Sequence, residues 1–156
     1  MAYKRILVPV DGSPTSGAGM RAAIALARQN RARLRLLHVL DEYVAFAFPD
    51  PGAGMNMNAM LGALRAAGKR TLAEAERAAR RMGAKPESAL VEGFGGRVAD
   101  TIVAQAKRWR ADLVVMGTHG RRGVKRVLLG SDADLVVRYS PVPVLLVPAR
   151  GRAKRR

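Results

Sequence analysis

The stretch from Ala111 to Val147, ADLVVMGTHGRRGVKRVLLGSDADLVVRYSPVPVLLV, constrains the fold of this chain more than any other. Residues 113–116 form an apolar run too short for a helix, and a glycine follows, which predicts a strand buried on both faces. Gly130 and Ser131 precede an apolar-periodic segment, residues 133–139, which predicts a helix capped by Ser131. The stretch therefore predicts a strand, a loop and a helix in succession.

The loop between this strand and this helix predicts an anion site. Gly117 and Gly120 bracket Thr118 and His119, and nine residues separate Gly120 from Gly130. A single glycine is typical of a turn, but glycines beside a helix start let backbone N–H groups and the positive helix end approach a phosphate. The loop also carries four basic residues, namely Arg121, Arg122, Lys125 and Arg126. We therefore interpret it as a phosphate cradle.

The remainder of the chain alternates between strand and helix patterns. Strands are predicted at 5–10, 34–40, 88–91, 113–116 and 142–147, and helices at 14–30, 64–82, 98–109 and 133–139. This order predicts one α/β domain over residues 1–148, a doubly wound five-stranded parallel sheet with helices on both faces, Rossmann-like. Pro141 and Pro143 make the last strand an edge candidate, because proline lacks a ladder donor.

Two segments lie outside this alternation. Residues 41–63 mix Pro, Gly, Asn and Met without a clear period and are predicted to form a mobile loop. Its methionines Met55, Met57 and Met60 either contact a ligand or partner or belong to a loop that only shields the protein from solvent. Residues 149–156 form a basic tail with five cationic side chains.

Composition excludes several classes of protein. The chain has 156 residues and no cysteine, which excludes disulfides, thiolate metal sites and thiol catalysis. It has neither an apolar run long enough to span a membrane nor a signal-peptide pattern, so we expect a cytoplasmic protein with no membrane association. The 28 Lys and Arg residues against 12 Asp and Glu give a net charge of +16, which predicts attraction to polyanions. That charge alone selects no function.

Three polar residues fall at informative places. Asp11 follows the first strand, at the sheet edge where an open α/β sheet binds its ligand. Its carboxylate either contacts a ribose or an adenine amine or caps the following helix. His38 lies within an apolar strand, which is typical of a packed core histidine. His119 lies in the glycine loop, where positioning a phosphate fits better than general-base chemistry.

Segments spread over nearly the whole chain resemble the universal stress protein family. They are KRILVPVDGSPTS, LRLLHVL, ADLVVMGTHGRRGVKRVLLGS and SPVPVLLV, and G-x-x-G followed after nine residues by G-S resembles the ATP-binding signature of that family. The resemblance implies an adenine nucleotide alpha hydrolase-like fold that binds ATP. It also implies a nucleotide-dependent regulatory protein of the stress response and a homodimer formed through residues 142–147. We expect Mg or Mn to be bound with the ATP, mainly through its phosphates.

The resemblance also implies the residues of the site. The adenosine end would contact Pro9, Val10, Asp11 and the backbone of Val39. The triphosphate end would contact Met116, Gly117, Gly120, Gly130 and Ser131, with Arg121 nearby. From their positions in the same loop and at the same helix start, we add His119, Asp132 and Ala133 to the candidate site. Asp132 and Asp134 depart from the family pattern, in which a small or apolar residue often follows the serine. They either interact favourably with the helix dipole or repel the terminal phosphate unless a divalent ion lies between.

Enzymatic activity has few candidate residues. A P-loop is absent, because Gly62 and Gly68-Lys69-Arg70 have the wrong spacing and lack the required Ser or Thr. We therefore expect slow ATP hydrolysis at most. The alternative is a basic protein that binds nucleic acid weakly and nonspecifically through its positive surface and tail, although it has few aromatic residues for stacking. A dimer that binds nothing would leave the glycine spacing unexplained.

Overall fold

Strands and helices alternate along the part of the chain that the computed structural model describes, residues 2–41, 57–93, 96–119 and 129–148. The elements, numbered here in chain order, are β1 (Arg5–Pro9), α1 (Pro14–Asn30), β2 (Arg33–Leu40), α2 (Met57–Arg81), β3 (Glu87–Glu92), α3 (Val98–Trp109), β4 (Leu113–Gly117), α4 (Ser131–Tyr139) and β5 (Val144–Val147). The predicted α/β class is confirmed.

The five strands form one parallel sheet in the order β3-β2-β1-β4-β5. The chain first builds outward from β1 to β3 and then returns to place β4 on the other side of β1. The strand order therefore reverses between β1 and β4, which confirms the doubly wound topology and makes β5 an edge strand. In such sheets ligands bind beyond the carboxyl ends of the strands at this reversal.

Two apolar layers hold the helices against the two faces of the sheet. Alternate residues of β1 supply both layers: Ile6 and Val8 face α1 and α2, while Leu7 faces α3 and α4. All three side chains are fully buried. Burial on both faces explains why β1 and β4 have continuous apolar runs instead of polar alternation.

The structure corrects two predicted boundaries. Helix α2 begins at Met57, so residues 57–63 are helical although they were predicted to lie in a loop; residues 42–56 of that loop lie outside the described residues. Strand β5 begins at Val144 and not at Val142, because the Ser140 hydroxyl donates to Val142 O at 2.7 Å and holds that residue in a turn. None of the described helices is long and apolar enough to cross a membrane.

Candidate functional site

The end of β1 places Val10 and Asp11 at the reversal of strand order. Val10 N donates to Leu37 O at 2.8 Å, which continues the pairing with β2 by one residue. Val10 O lies 2.7 Å from His38 Nδ1, and because a carbonyl only accepts, Nδ1 must carry the proton. His38 is 7% exposed, so it is the core histidine that the sequence predicts. The hydrogen bond from the His38 ring holds the carbonyl of Val10, a predicted site residue, against β2.

The structure separates the two predicted roles of Asp11. Ser13, not Asp11, is the N-cap of α1, and its Oγ accepts from Ser16 N at 3.1 Å. Asp11 Oδ1 accepts from Ser13 N at 2.9 Å, which shapes the turn before the helix. This bond engages one of the two carboxylate oxygens of a half-buried side chain. Asp11 therefore supports the cap indirectly and lies at the sheet edge where the site is predicted.

The end of β4 lies against the first turns of α1. A Cβ atom on Gly117 would lie 2.6 Å from Thr15 C and 2.8 Å from Thr15 O. A Cβ atom on Gly19 would lie 3.1 Å from Gly117 N. Gly117 does not have a positive φ, so its glycine is required by this close packing and not by backbone conformation. On this face of the sheet α1 closes the crevice between β1 and β4.

A hydroxyl on α1 connects the two halves of the predicted site. Thr15 Oγ1 donates to His119 O and lies 3.0 Å from Ser13 Oγ. The first residues after β4 are therefore tied to the cap of the helix that follows β1. His119 Nδ1 lies 2.9 Å from Thr118 Oγ1, while Nε2 is buried and has no hydrogen-bond partner among the described residues. A buried, unsatisfied ring nitrogen here suits an additional polar group.

The start of α4 faces the same edge of the sheet. Gly130 N donates to Thr118 O at 2.9 Å, which ties the helix start to the end of β4. Gly130 is the N-cap and provides no side-chain hydrogen bond, so the predicted cap by Ser131 is wrong: Ser131 is the first helical residue. A helix start without a side-chain cap leaves its positive end available to an anion. Ala133 is 2% exposed and anchors this turn in the core.

Two acids lie at the start of α4, and both are half-buried. Asp134 pairs with Arg138 of the same helix at 3.0 Å, so its charge is offset locally. Asp132 lies in the first turn and is half-buried. Both positions favour negative charge because of the helix dipole. The described residues contain no group of three or more His, Cys, Asp or Glu side chains placed to hold a metal ion.

The remaining predicted residues are divided between described and undescribed parts of the chain. Val39 lies in β2, two residues after Leu37, whose carbonyl oxygen points toward β1. Backbone groups two residues apart in a strand point to the same side, so those of Val39 also point toward β1, beyond its last residue. Pro9 ends β1 and Met116, 7% exposed, lies near the end of β4. Gly120, Arg121 and the rest of the basic loop to residue 128 lie outside the described residues.

The structure thus brings most of the predicted residues to one edge. A neighbouring cavity of about 160 Å³ is lined by Val10, by the turn before α1 and by residues of α1 and α2, and it is too small for a nucleotide. Sequence reasoning did not identify Thr15 or Gly19 as supports of this edge. Their contacts with residues about a hundred positions away in sequence leave no local pattern, so no signal in a single sequence identifies them.

Comparisons with known proteins agree with this architecture. The sequence profile described as the Universal stress protein family matches residues 2–148. Universal stress protein MJ0531 of Methanocaldococcus jannaschii is 33% identical over 145 residues, which cover 93% of this chain and 82% of that protein. The solved structure of MJ0577, also from Methanocaldococcus jannaschii, superposes with a TM-score of 0.80 at 27% identity and covers 97% of this chain and 99% of that chain.

Two further solved structures contain nucleotides. A universal stress protein in complex with cAMP has a TM-score of 0.64 at 29% identity, and the match covers 96% of this chain and 99% of that chain. The universal stress protein of Archaeoglobus fulgidus in complex with dAMP has a TM-score of 0.67 at 26% identity and covers 94% and 99%. The profile match over nearly all of the sequence and the shared fold lead to one conclusion: this chain belongs to the universal stress protein family.

Proposed function

We propose that this chain binds ATP beyond the carboxyl ends of β1 and β4 and acts as a nucleotide-dependent regulatory protein of the stress response. The observation that carries the proposal is the convergence of Asp11, Gly117 and Gly130 on one edge of the sheet at the reversal of strand order. The cAMP and dAMP complexes of two relatives support a nucleotide of the adenine class.

The adenosine end of the ligand is assigned to β1 and β2. The backbone groups of Val39 point past the end of β1 and suit the hydrogen-bonding edge of adenine. Pro9 and Val10 line the proposed site beneath the adenosine, and His38 holds Val10 in place through its 2.7 Å contact with Val10 O. Asp11 provides a carboxylate oxygen for a ribose hydroxyl, since only Oδ1 is engaged in the turn to Ser13.

The phosphate end is assigned to β4 and the start of α4. The N-terminal end of α4 has no side-chain cap, and Gly130, Ser131 and Ala133 form its first turn. His119 Nε2 is an unsatisfied polar atom at the same edge and suits a phosphate oxygen. Met116 and Gly117 form the strand end beneath, and Gly120 and Arg121, outside the described residues, complete the assignment.

Rapid hydrolysis is not part of the proposal. A general base must reach an attacking water, and His38 is 7% exposed within β2, where its ring is held against Val10 O. His119 is assigned to holding a phosphate. ATP at this site is therefore a bound ligand that is hydrolysed slowly at most, and its regulatory effect comes from occupancy.

The proposal is tested by calorimetric titration of the purified chain with ATP in the presence of Mg. We expect saturable binding at one site per chain. ADP and AMP should bind more weakly in that order, because each loses contacts at the start of α4. Mass spectrometry of the protein as purified checks for a retained nucleotide, which must be removed first. Absence of any saturable signal in nucleotide-free protein would contradict the assignment.

A divalent ion is expected to contribute more here than in relatives with an apolar residue after the serine. Asp132 lies in the first turn of α4, where the terminal phosphate is placed, and like charges about 4 Å apart repel by roughly 1 kcal/mol in water. We therefore assign Mg or Mn to the phosphates, with Asp132 nearby. Asp132→Ala should tighten the binding of metal-free ATP several-fold and reduce the loss caused by a chelator. An equal loss in both proteins would restrict Asp132 to a helix-dipole role.

We also propose that two chains pair through β5. This strand lies at the sheet edge, and Leu145 is 38% exposed within an otherwise half-buried apolar segment. An unpaired edge with an apolar side chain favours pairing across a two-fold axis. Leu145→Lys should convert a dimer into a monomer by light scattering. Met57→Lys introduces the same charge at a residue that is 42% exposed in another element and should leave the dimer intact. A monomeric wild-type protein would contradict the pairing.

A further inference from the structure

Basic side chains concentrate at the end of the sheet opposite the proposed nucleotide site. The first residues of the parallel strands and the last residues of α1, α2 and α3 meet at this end. We call this surface the basic pole and define it by twelve residues: Lys4, Arg5, Arg28, Arg31, Arg33, Arg35, Arg80, Arg81, Lys85, Lys107, Arg108 and Arg110. Ten of them are exposed and two, Arg5 and Arg35, are half-buried.

Backbone and side-chain contacts join these residues into one continuous surface. Arg5 and Arg33 are register partners on neighbouring strands, and the guanidinium of Arg5 donates to Trp109 O at the end of α3. The guanidinium of Arg28, at the end of α1, donates to Met82 O just beyond α2. Only two residues separate the end of α1 from the start of β2, so the two sets of contacts meet there. Three helix ends and two strand starts are therefore linked.

Local negative charge does not balance this surface. Three carboxylates lie beside these cations in the described part of the chain: Glu76, Glu87 and Asp112. Each of the three helix ends adds about −0.5 charge through its dipole, so helix capping accounts for only a minor part of the twelve cations. Most of the positive charge at this end therefore has no counterpart in the described part of the chain.

The carboxylate of Glu87 forms ion pairs with two arginines of the pole. Arg33 and Arg35 contact its two oxygens at 2.5 and 2.6 Å. Partial burial raises the pKa of Glu87, but hydrogen bonds from Arg35 and Arg33 outweigh burial and place the pKa below its ordinary value. Glu87 is thus ionised at neutral pH and fixes two arginines in place without reversing the sign of the surface.

The chemistry of the pole fits phosphates of a nucleic-acid backbone and not bases. Nine of its twelve cations are arginines, whose planar donors match phosphate oxygens in pairs. The ring of Trp109, next to the pole, is 7% exposed and lies beneath Arg35, whose Cζ is 4.6 Å from the ring centroid. Among the described residues this end of the sheet exposes one aromatic ring, Tyr139 at the end of α4, which lies outside the pole. The pole itself therefore does not present the stacking platforms that single-stranded nucleic acids require.

We propose that the basic pole binds the phosphate backbone of a double-stranded nucleic acid without reading its sequence. The pole and the nucleotide site lie at opposite ends of β1, whose five residues span about 17 Å. Duplex and ATP therefore bind at the same time and do not compete. This inference stands independently of the proposed ATP site, since it uses none of its residues.

The test compares two variants with the same net charge. The pole variant carries Arg81→Glu, Lys107→Glu and Arg108→Glu, and the control carries Arg21→Glu, Lys69→Glu and Arg70→Glu, which are exposed cations outside the pole. Binding of a fluorescent 24-base-pair DNA duplex is measured by anisotropy over a range of NaCl concentrations. Wild-type affinity should fall steeply with salt, and the pole variant should lose more than tenfold in affinity and about 2 to 3 units of salt slope. The control should lose less than threefold.

Several outcomes would overturn the inference. An equal loss in both variants assigns binding to overall charge, and no loss in either assigns it to another segment such as the tail. Displacement of the duplex by saturating ATP would place the duplex at the nucleotide site and not at the pole. Binding to anionic phospholipid vesicles without duplex binding would identify a membrane surface as the partner instead. If the pole variant fails to fold, Arg81→Gln, Lys107→Gln and Arg108→Gln replace it, with a matched glutamine control. ATP titration of each variant reports separately on the nucleotide site.

Discussion

Replacing Gly117 with alanine is expected to lower the melting temperature of this protein by roughly 5 to 10 °C. The added Cβ would lie 2.6 Å from Thr15 C and 2.8 Å from Thr15 O, which are backbone atoms in the first turn of α1. A helix backbone cannot move aside as the end of a flexible side chain can. Overpacking of this kind costs about 2 to 3 kcal/mol, and each kcal/mol lowers the melting temperature of a domain this size by about 2 to 4 °C.

Gly62→Ala provides the matched control. Gly62 is also a glycine, but it lies on the exposed face of α2, and an added Cβ would have nothing within 4 Å. Because alanine is the better helix former, this variant should gain about 0.5 to 1 kcal/mol in stability. Thermal unfolding followed by circular dichroism measures both. A melting temperature of Gly117→Ala within about 1 °C of wild type would show that α1 and β4 have room to separate, contrary to the structure.

The same substitution should also weaken ATP binding. Thr15 donates to His119 O, so any shift of Thr15 moves the first residues of the loop assigned to the phosphates. The sequence pattern interprets Gly117 as a glycine that lets a phosphate approach the backbone. The structure shows that the position of its missing side chain is taken by Thr15. Gly117 therefore has both roles: its close packing against Thr15 requires a glycine, and the same packing positions the proposed nucleotide site.

Replacing Gly130 with valine is expected to lower the affinity for ATP by at least about a hundredfold while the fold is retained. Gly130 has φ −63° and ψ 149°, an extended conformation that valine adopts readily, so no backbone strain is introduced. Its two methyl groups would lie at the N-terminal end of α4, where the phosphates are assigned. Loss of about 3 kcal/mol in binding corresponds to that hundredfold change.

Calorimetric titration with ATP and Mg measures this effect. Gly62→Val makes the same chemical change on an exposed helix surface in α2 and should bind ATP like the wild type. Circular dichroism must show that Gly130→Val keeps its secondary structure and a cooperative melting transition. Unchanged ATP affinity in a folded Gly130→Val protein would remove the start of α4 from the site and leave β1 and β2 as the region to test.

Local patterns were sufficient wherever an element buries a regular stripe or run. Helix α3 was predicted at residues 98–109 and is found at Val98–Trp109, because Ile102 and Ala106 face the core at helical spacing. The doubly wound order also follows from the alternation of strands and helices. In these segments the buried positions are apolar and the exposed positions are mostly polar, so the sequence shows the period of burial.

Local patterns were insufficient where burial does not follow the element. The first two turns of α2, residues 57–63, were predicted to be loop because they lack an apolar period. In the structure Met57, Asn58 and Ala59 are exposed, so this part of the helix has no buried stripe to generate one. At α4 the predicted cap was displaced by one residue, since the bond from Gly130 N to Thr118 O sets where the helix begins.

The sequence alone therefore determined the class of fold, its family resemblance and the residues proposed to hold a nucleotide. All three depend on short-range order: runs, periods and fixed spacings that a single chain displays. Tertiary structure decided what supports those residues and what lies opposite them. The contacts of Thr15 with Gly117 and His119 join residues about a hundred positions apart in sequence, and the basic pole gathers cations from five elements. Residues that are far apart in the sequence become neighbours only when the parallel strands align their ends. The number of residues between two positions does not predict how far apart they lie across a sheet.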